Sequence, residues 1–477
     1  MSTSSSGLVS GGTALVAGTS YTSGQGINVS ATVTAILTAK REPETAWTDD
    51  ETTISNQLTE LNTLQTEASS LQSAFQSLSD YTGVFSGMTA TSSNSAEVSA
   101  TASSSAIAGS YNVVVSSLAS TGVSYSNSLT STTISSGALV FSIGSGSAQT
   151  INIPESTTGS GTTTLSAAAS YINTQNLGVS ASVITDTNGS RLVLTSSSSG
   201  SAASVNVTSA PSGLSFTNQA GTDASLTVNG VPITSSSNQV TTAISGVTLS
   251  LAGTTGSSGA SVVVGADTSS ITSAISSFIS AYNTVVTDLN NQFQYNGGTT
   301  TNASTTATAT NGVLEDDPTA RVLQEQMLSI ISVAGTDGSS TTYNSLASLG
   351  ITMGNDGTLS LNSTTLQSAL QSNYSDVQKF FQSTGGATFS EQFNTLMTNL
   401  NNPSDGAITL DISGLKSNYA TDKKNVSDLE ATLSDLQTTL TNQYAALNTT
   451  LQMYPTTLLQ IETLLGYRAT TTSSSGS

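Results

Sequence analysis

Apolar residues return every three or four positions along two stretches, one near each end of the 477-residue chain, and nothing else in the sequence restricts the fold so strongly. Near the C-terminus the series is Val426, Leu429, Leu433, Leu436, Leu440, Tyr444, Leu447 and Leu451. That spacing lays a stripe along one side of a helix, which a second helix must cover. Two successive steps of four between Leu436 and Tyr444 insert a stutter and locally relax the supercoil. Near the N-terminus the same rhythm runs through Trp47, Ile54, Leu58, Leu61, Leu64, Ala68, Leu71, Phe75 and Leu78, with one three-three step at Leu58, Leu61 and Leu64. The two stripes predict that the terminal helices pair as an antiparallel, coiled-coil-like stalk with the middle of the chain as a head. Each leucine so buried contributes about 1.5–3 kcal/mol as an upper value. In the competing arrangement each helix packs against its own separate neighbours.

Charged residues are 8% of the chain, with 29 acids against 9 bases, and Ser, Thr, Gly and Asn carry most of its polarity. Average soluble domains hold roughly 25% charged residues, so this chain relies on hydroxyls and amides, as suits a protein outside the cytoplasm. With no basic cluster larger than a pair, nucleic acid and anionic lipid are excluded as partners. Cys and His are both absent, which removes disulfides, thiolate and imidazole chemistry, and most zinc sites. No charge precedes Lys40 and the longest apolar run before it covers only 14–17, so a cleavable secretory signal is not expected. No run reaches the length of a membrane-spanning helix, so membrane insertion is not expected either. An extracellular composition without such a signal points to a dedicated export route, or else to a cytosolic protein of odd composition.

In chain order, residues 1–42 read as a flexible arm, in which 27–37 becomes a helix only against a partner. Pro43 sits at a first helical turn between Glu42 and Glu44, and the helix should run to about Asp80 and stop near Gly83. From Val98 the period becomes two, and strands are expected at 108–119, 137–144, 149–154, 178–185, 191–196, 226–233, 246–251 and 261–266. Residues 196–221 read as weak strand or loop. Asn188-Gly189 and Asn229-Gly230 mark hairpin turns. A calcium-loop reading of 186–189 has too few carboxylates. A short amphipathic helix fits 162–176, and longer ones fit 267–286, 363–372, 376–400 and from Leu415 onward. Asp267 and Asp317 are suited as N-caps, the latter followed by Pro318. Glu315-Asp316-Asp317 complements the helix dipole; a metal site is the other reading of these three acids. A hairpin is expected across 355–357. Residues 297–309 form a low-complexity linker, and Pro455 should kink or end the last helix, leaving a frayed tail at 467–477.

These elements group into an α+β multidomain chain. The expected parts are an arm at 1–42, a discontinuous helical stalk from 43–85 and 268–455, and a C-terminal tail at 456–477. A β-rich head domain is expected from 86–135 and 222–267, with a second β-rich domain, 136–221, inserted in it. The stalk seam comprises Trp47, Ile54, Leu58, Leu61, Leu64, Leu71 and Phe75 facing Val426, Leu429, Leu433, Leu436, Leu440 and Leu447.

No phosphate-binding loop, nucleophile elbow, HExxH or CxxC occurs, and the acids form no convincing catalytic pair in sequence. No cofactor or metal is expected. A glycan-cleaving pair assembled only in space is the remaining enzymatic reading. Trp47, on the seam, reads as core rather than as a sugar platform.

AGSYNVVVSSLA (108–119), GSRLVLTSSSSG (189–200), LTVNGVPI with SNQVTTAISGVTLSL (226–251), DTSSITSAISSFISAYNTVV (267–286) and SLASLGIT with DGTLSLNSTTL (345–366) occur in an order that resembles the flagellar hook-associated protein 2, or filament cap (FliD), family. Departures are Gly26-Ile27-Asn28 where the family has Gly-Leu-Asp, Glu315-Asp316-Asp317 where it has Gly-Asp, and nearly uncharged helices where it is Lys-rich. The resemblance implies a non-enzymatic cap at the distal tip of the bacterial flagellum, exported without a cleavable signal. It implies a small homo-oligomeric ring, pentameric or similar, that retains emerging flagellin and promotes its folding and insertion. Flagellin, hook-filament junction proteins and an export chaperone are the implied partners. Alternatives are a flagellin, a junction protein, or a surface adhesin suggested by the Ser/Thr-rich β modules.

Overall fold

In a computed structural model, residues 27–157, 159–293, 312–332, 343–383 and 388–465 are described. The linker expected at 297–309, the tail at 467–477 and the first 26 residues of the arm fall outside them. Helices and strands both contribute heavily. The helices are α1 (Val29–Lys40), α2 (Glu42–Ser79), α3 (Leu165–Thr174), α4 (Thr268–Phe293), α5 (Pro318–Ile331), α6 (Ser363–Ser372), α7 (Tyr374–Gln382), α8 (Phe389–Asn401) and α9 (Ala407–Leu464). The chain divides into two compact units, one from 1–75, 277–362 and 383–477, the other from 76–276 and 363–382. Residues 76–85 and 363–382 therefore belong to the β-rich unit, where sequence periodicity alone assigns them to the stalk.

The β-rich unit holds two cores, each closed by antiparallel sheets. In the first, a five-stranded sheet takes the order 88–92, 260–266, 109–117, 224–228, 231–235 and a second sheet the order 239–244, 247–251, 98–102. Val113, Val115, Leu226, Val262 and Val264 from the one share a core with Val98, Val240 and Leu249 from the other. Alternation explains the selection: strand Gly109–Ser117 buries Val113 and Val115 and turns Val114, between them, to the other face. The turn at Asn229 (φ 48°) and Gly230 (φ 80°) is left-handed at both positions, as a two-residue hairpin matching strand twist requires. A side chain at Gly230 would meet no atom, so Gly230→Ala isolates the backbone strain. It is expected to lower stability by about 1–2 kcal/mol in urea unfolding.

The second core joins a four-stranded sheet (216–219, 121–126, 189–199, 179–186), a three-stranded sheet (205–209, 137–143, 149–153) and α3. Leu139, Phe141, Leu165, Ile172, Leu192, Leu194 and Val205 are fully buried there. Strand 121–126 pairs with 189–199 and 216–219, and Leu129 and Ile134 pack on the same core, so the inner module takes in strands upstream of residue 136. The Ser/Thr/Gly stretch 196–221, weak by propensity, supplies strands 205–209 and 216–219. Tertiary pairing overrides local preference there. Buried hydroxyls of the neighbouring strand 121–126 are satisfied internally: Ser124 donates to Asn218 Oδ1 at 2.6 Å, and Ser126 Oγ accepts from Leu192 N at 3.0 Å.

Local chemistry accounts for the helix ends. Asp267 accepts from Ser270 N, and its carboxyl is held low by the Ser270 hydroxyl and backbone donors. Asp317 accepts from Ala320 N with Pro318 in the first turn. Where one helix is expected over 376–400, the structure has two, α7 and α8, separated around Ser383-Thr384-Gly385-Gly386. Glycine is a poor helix former, and Thr388 restarts the helix by accepting from Glu391 N. The last helix begins at Ala407 rather than Leu415 and continues through Pro455 to Leu464. Proline removes one amide donor, but Thr456 and Thr457 hydroxyls donate to the Met453 carbonyl in the same turn.

Candidate assembly interface

Within the helical unit the seam residues of α2 are most deeply buried in its C-terminal half. Trp47 and Leu58 are half-buried, Ile54 is nearly covered, and Leu61, Leu64, Leu71 and Phe75 are inaccessible. Phe75 packs on Phe278 of α4 (5.6 Å between ring centroids) and on Phe389 (5.7 Å) and Phe393 (4.4 Å) of α8. Tyr282, also fully buried, donates its hydroxyl to the Met327 carbonyl of α5 at 3.0 Å, and burial raises its pKa. Asn283 of α4 both donates to the Leu359 carbonyl and accepts from Leu359 N, fixing the 351–361 hairpin. This end of α2 is thus covered by α4 and α8. Gln65 of α2 donates to Thr409 Oγ1 at the start of α9.

On α9, Leu433 is buried, Val426, Leu429, Leu436 and Leu440 are half-buried, and Leu447 is exposed. The helix lying against α9 is α1, with Val33 buried and Asn28 capping its start by accepting from Ala31 N. Arg41, just past α1, forms a two-pronged ion pair with Glu430 of α9 and a second one with Glu44. The Arg41 hydrogen bonds hold the Glu430 carboxyl below its ordinary value. Here the segment around 29–40, expected to order only against a partner, finds that partner in its own chain.

Beyond Leu440 the spacing of apolar positions continues with no cover among the described residues. Leu447, Leu451, Tyr454, Leu458, Ile461 and Leu465 follow steps of four and three along one side of α9. They are 45%, 45%, 64%, 44%, 46% and 73% exposed. A seam of six large side chains facing water marks a binding surface rather than a finished fold. Ending the stripe at Pro455 hides this stretch in sequence; following the spacing through the proline reveals it.

Two pairs of carboxylates meet in space although they lie far apart in sequence. Glu60 of α2 lies against Asp288 of α4, and Asp411 of α9 against Asp317 at the start of α5. No trio of His, Cys, Asp or Glu among the described residues is placed to hold a metal. No described helix is long and apolar enough to cross a membrane.

Long terminal helices that flank antiparallel β modules in chain order, one of them carrying an exposed apolar stripe, define the structural class. Comparison with known proteins gives this class a family. The model of the flagellar hook-associated protein 2 C-terminus matches residues 221–456, that of its N-terminus residues 25–122, and a flagellin hook IN motif matches 139–198. The chain belongs to the flagellar hook-associated protein 2 family.

It is 29% identical to the B-type flagellar hook-associated protein 2 of Pseudomonas aeruginosa over 62% of this chain. It is 28% identical to the lateral flagellar hook-associated protein 2 of Vibrio parahaemolyticus over 60%. The matched stretch spans 66% of each relative, just under two thirds of their length. The crystal structure of the flagellar cap protein FliD D1-D2-D3 domains from Escherichia coli superimposes with a TM-score of 0.53 at 28% identity, covering 75% of this chain and 99% of that one.

Proposed function

We propose that this protein is a structural, non-enzymatic cap at the distal tip of the bacterial flagellar filament. In this reading it forms a small closed ring that retains exported flagellin and promotes its folding and insertion. The single observation that carries the reading is the pair of family matches at the two ends of the chain, 25–122 and 221–456, supported by the likeness to the Escherichia coli cap. The terminal stripes, Trp47 to Phe75 and Val426 to Leu447, form the helical stem, and the uncovered α9 seam is buried by neighbouring molecules of the tip. A closed ring suits such head-to-tail contacts, which otherwise propagate as a fibre. The chain acts outside the cell and meets hook-filament junction proteins and, before export, a chaperone. An adhesive role draws no support from the relatives.

Deleting the gene tests the proposal. The mutant is expected to keep its hooks, lose its filaments and shed monomeric flagellin into the medium. Electron microscopy and immunoblotting of the supernatant read both outcomes, and normal filaments on the mutant would end the capping reading.

A further inference from the structure

Five carboxylates of the helical unit gather in two separate clusters, neither of which holds an ion-paired cation among the described residues. Glu60 and Glu67, seven residues apart on one side of α2, meet Asp288 of α4, and Asp411 of α9 meets Asp317. One Glu60 oxygen accepts from Gln292 Nε2 at 2.8 Å. One oxygen each of Glu67, Asp288 and Asp411 is sealed from water and has no hydrogen-bond partner. The basic residues of this unit that form ion pairs do so elsewhere, Arg41 with Glu44 and Glu430, and Lys424 with Asp428. Arg321, on the same helix as Asp317, gives its guanidinium to the Glu315 carbonyl and the Phe293 ring. In the first cluster the groups bearing on the carboxylates are one another and the Gln292 amide; in the second they are each other and the Thr319 hydroxyl. Like charges so placed rest together only when protons neutralise some of them.

We propose that the two carboxyl clusters make the helical unit pH-responsive, its helices closing on one another in mild acid and loosening as pH rises through neutrality. Burial, then Asp288 and Glu60, pushes Glu67 up to about 7. Burial, then Asp288, raises Glu60. Burial, then Asp317, pushes Asp411 up to about 6. A carboxyl raised in the folded state binds more protons folded than unfolded. The stability it lends is complete below its unfolded value of 4.5 (Glu) or 3.8 (Asp) and is lost as pH climbs through about 6 to 7. Asp267, Glu155 and Asp186 of the β-rich unit run the opposite way. Hydroxyl and backbone donors lower them, so their contribution is present above their unfolded values and disappears only in stronger acid.

Trp47, the single tryptophan, lies on α2 and so reports the helical unit in the intact chain. Its thermal unfolding midpoint is expected to fall by several degrees between about pH 5 and about pH 8. The double variant Glu67→Gln with Asp411→Asn is expected to flatten that slope and to exceed the wild-type midpoint at the alkaline end. A wild-type midpoint that holds level or rises over this range overturns the proposal, as does an unchanged slope in the variant. Infrared titration of the unmodified protein is independent of any variant. Protonated-carboxyl absorption persisting to about pH 6 is the expected result, and its complete loss by about pH 5 overturns the proposal.

Discussion

Replacing Phe75 with alanine is expected to cost the helical unit about 3–5 kcal/mol, the largest loss from any single truncation proposed for this protein. Phe75 is fully buried, and its ring meets three others, with centroids 4.4 to 5.7 Å away. Removing it forfeits the transfer of a large apolar side chain and leaves a cavity. It also breaks tilted and edge-on ring contacts worth about 0.5–1.5 kcal/mol per pair beyond their area. The rings come from α2, α4 and α8, held in rigid helices, so the site has little freedom to collapse. Urea unfolding followed by Trp47 fluorescence measures the loss. Leu447→Ala, on the exposed stripe of α9 and 45% accessible, serves as control and should change stability by no more than about 0.5 kcal/mol. A Phe75→Ala loss below about 1 kcal/mol contradicts the packing described.

The second large effect is on assembly rather than stability. The double variant Leu458→Asp with Ile461→Asp should fold as the wild type does, because both positions are 44–46% exposed and face no other helix of the described chain. If α9 is covered in the assembled tip, the same two carboxylates must enter an apolar interface. That burial costs several kcal/mol per charge without a partner. Expressed in the deletion strain, this variant is expected to leave filaments absent and flagellin in the medium, while Thr463→Asp, on the opposite side of α9, restores filaments. Full restoration by the double variant would show that the seam is not an assembly surface.

The reach of sequence reasoning differs between elements for definite reasons. Leu61, Leu64, Leu71 and Phe75 are legible as core because helical period and apolar character coincide. The hairpin at Asn229-Gly230 is legible because only such residues accept two left-handed positions in a row. The inner β module was less so: strands 205–209 and 216–219 carry few apolar residues and exist because strands distant in sequence pair with them. The end of α7 at Gln382 and the start of α8 at Phe389 are hidden in the sequence by strong periodicity on both sides. Pro455 misleads in the opposite direction, since a proline with hydroxyl groups nearby kinks a helix more readily than it ends one.

The sequence by itself determined the periods: where helices and strands form, which side of each is apolar, and that no thiol or imidazole is available for chemistry. Those properties reside in neighbouring residues and survive without any partner. Only the tertiary structure decided which apolar faces meet. It places α1 rather than solvent along α9, sets Phe75 among rings from α4 and α8, and leaves the seam from Leu447 to Leu465 open. The meeting of Glu60 and Glu67 with Asp288 is of the same kind. Periodicity specifies a direction from one helix axis, whereas a contact needs the position of a second axis, and that follows from the packing of the whole unit.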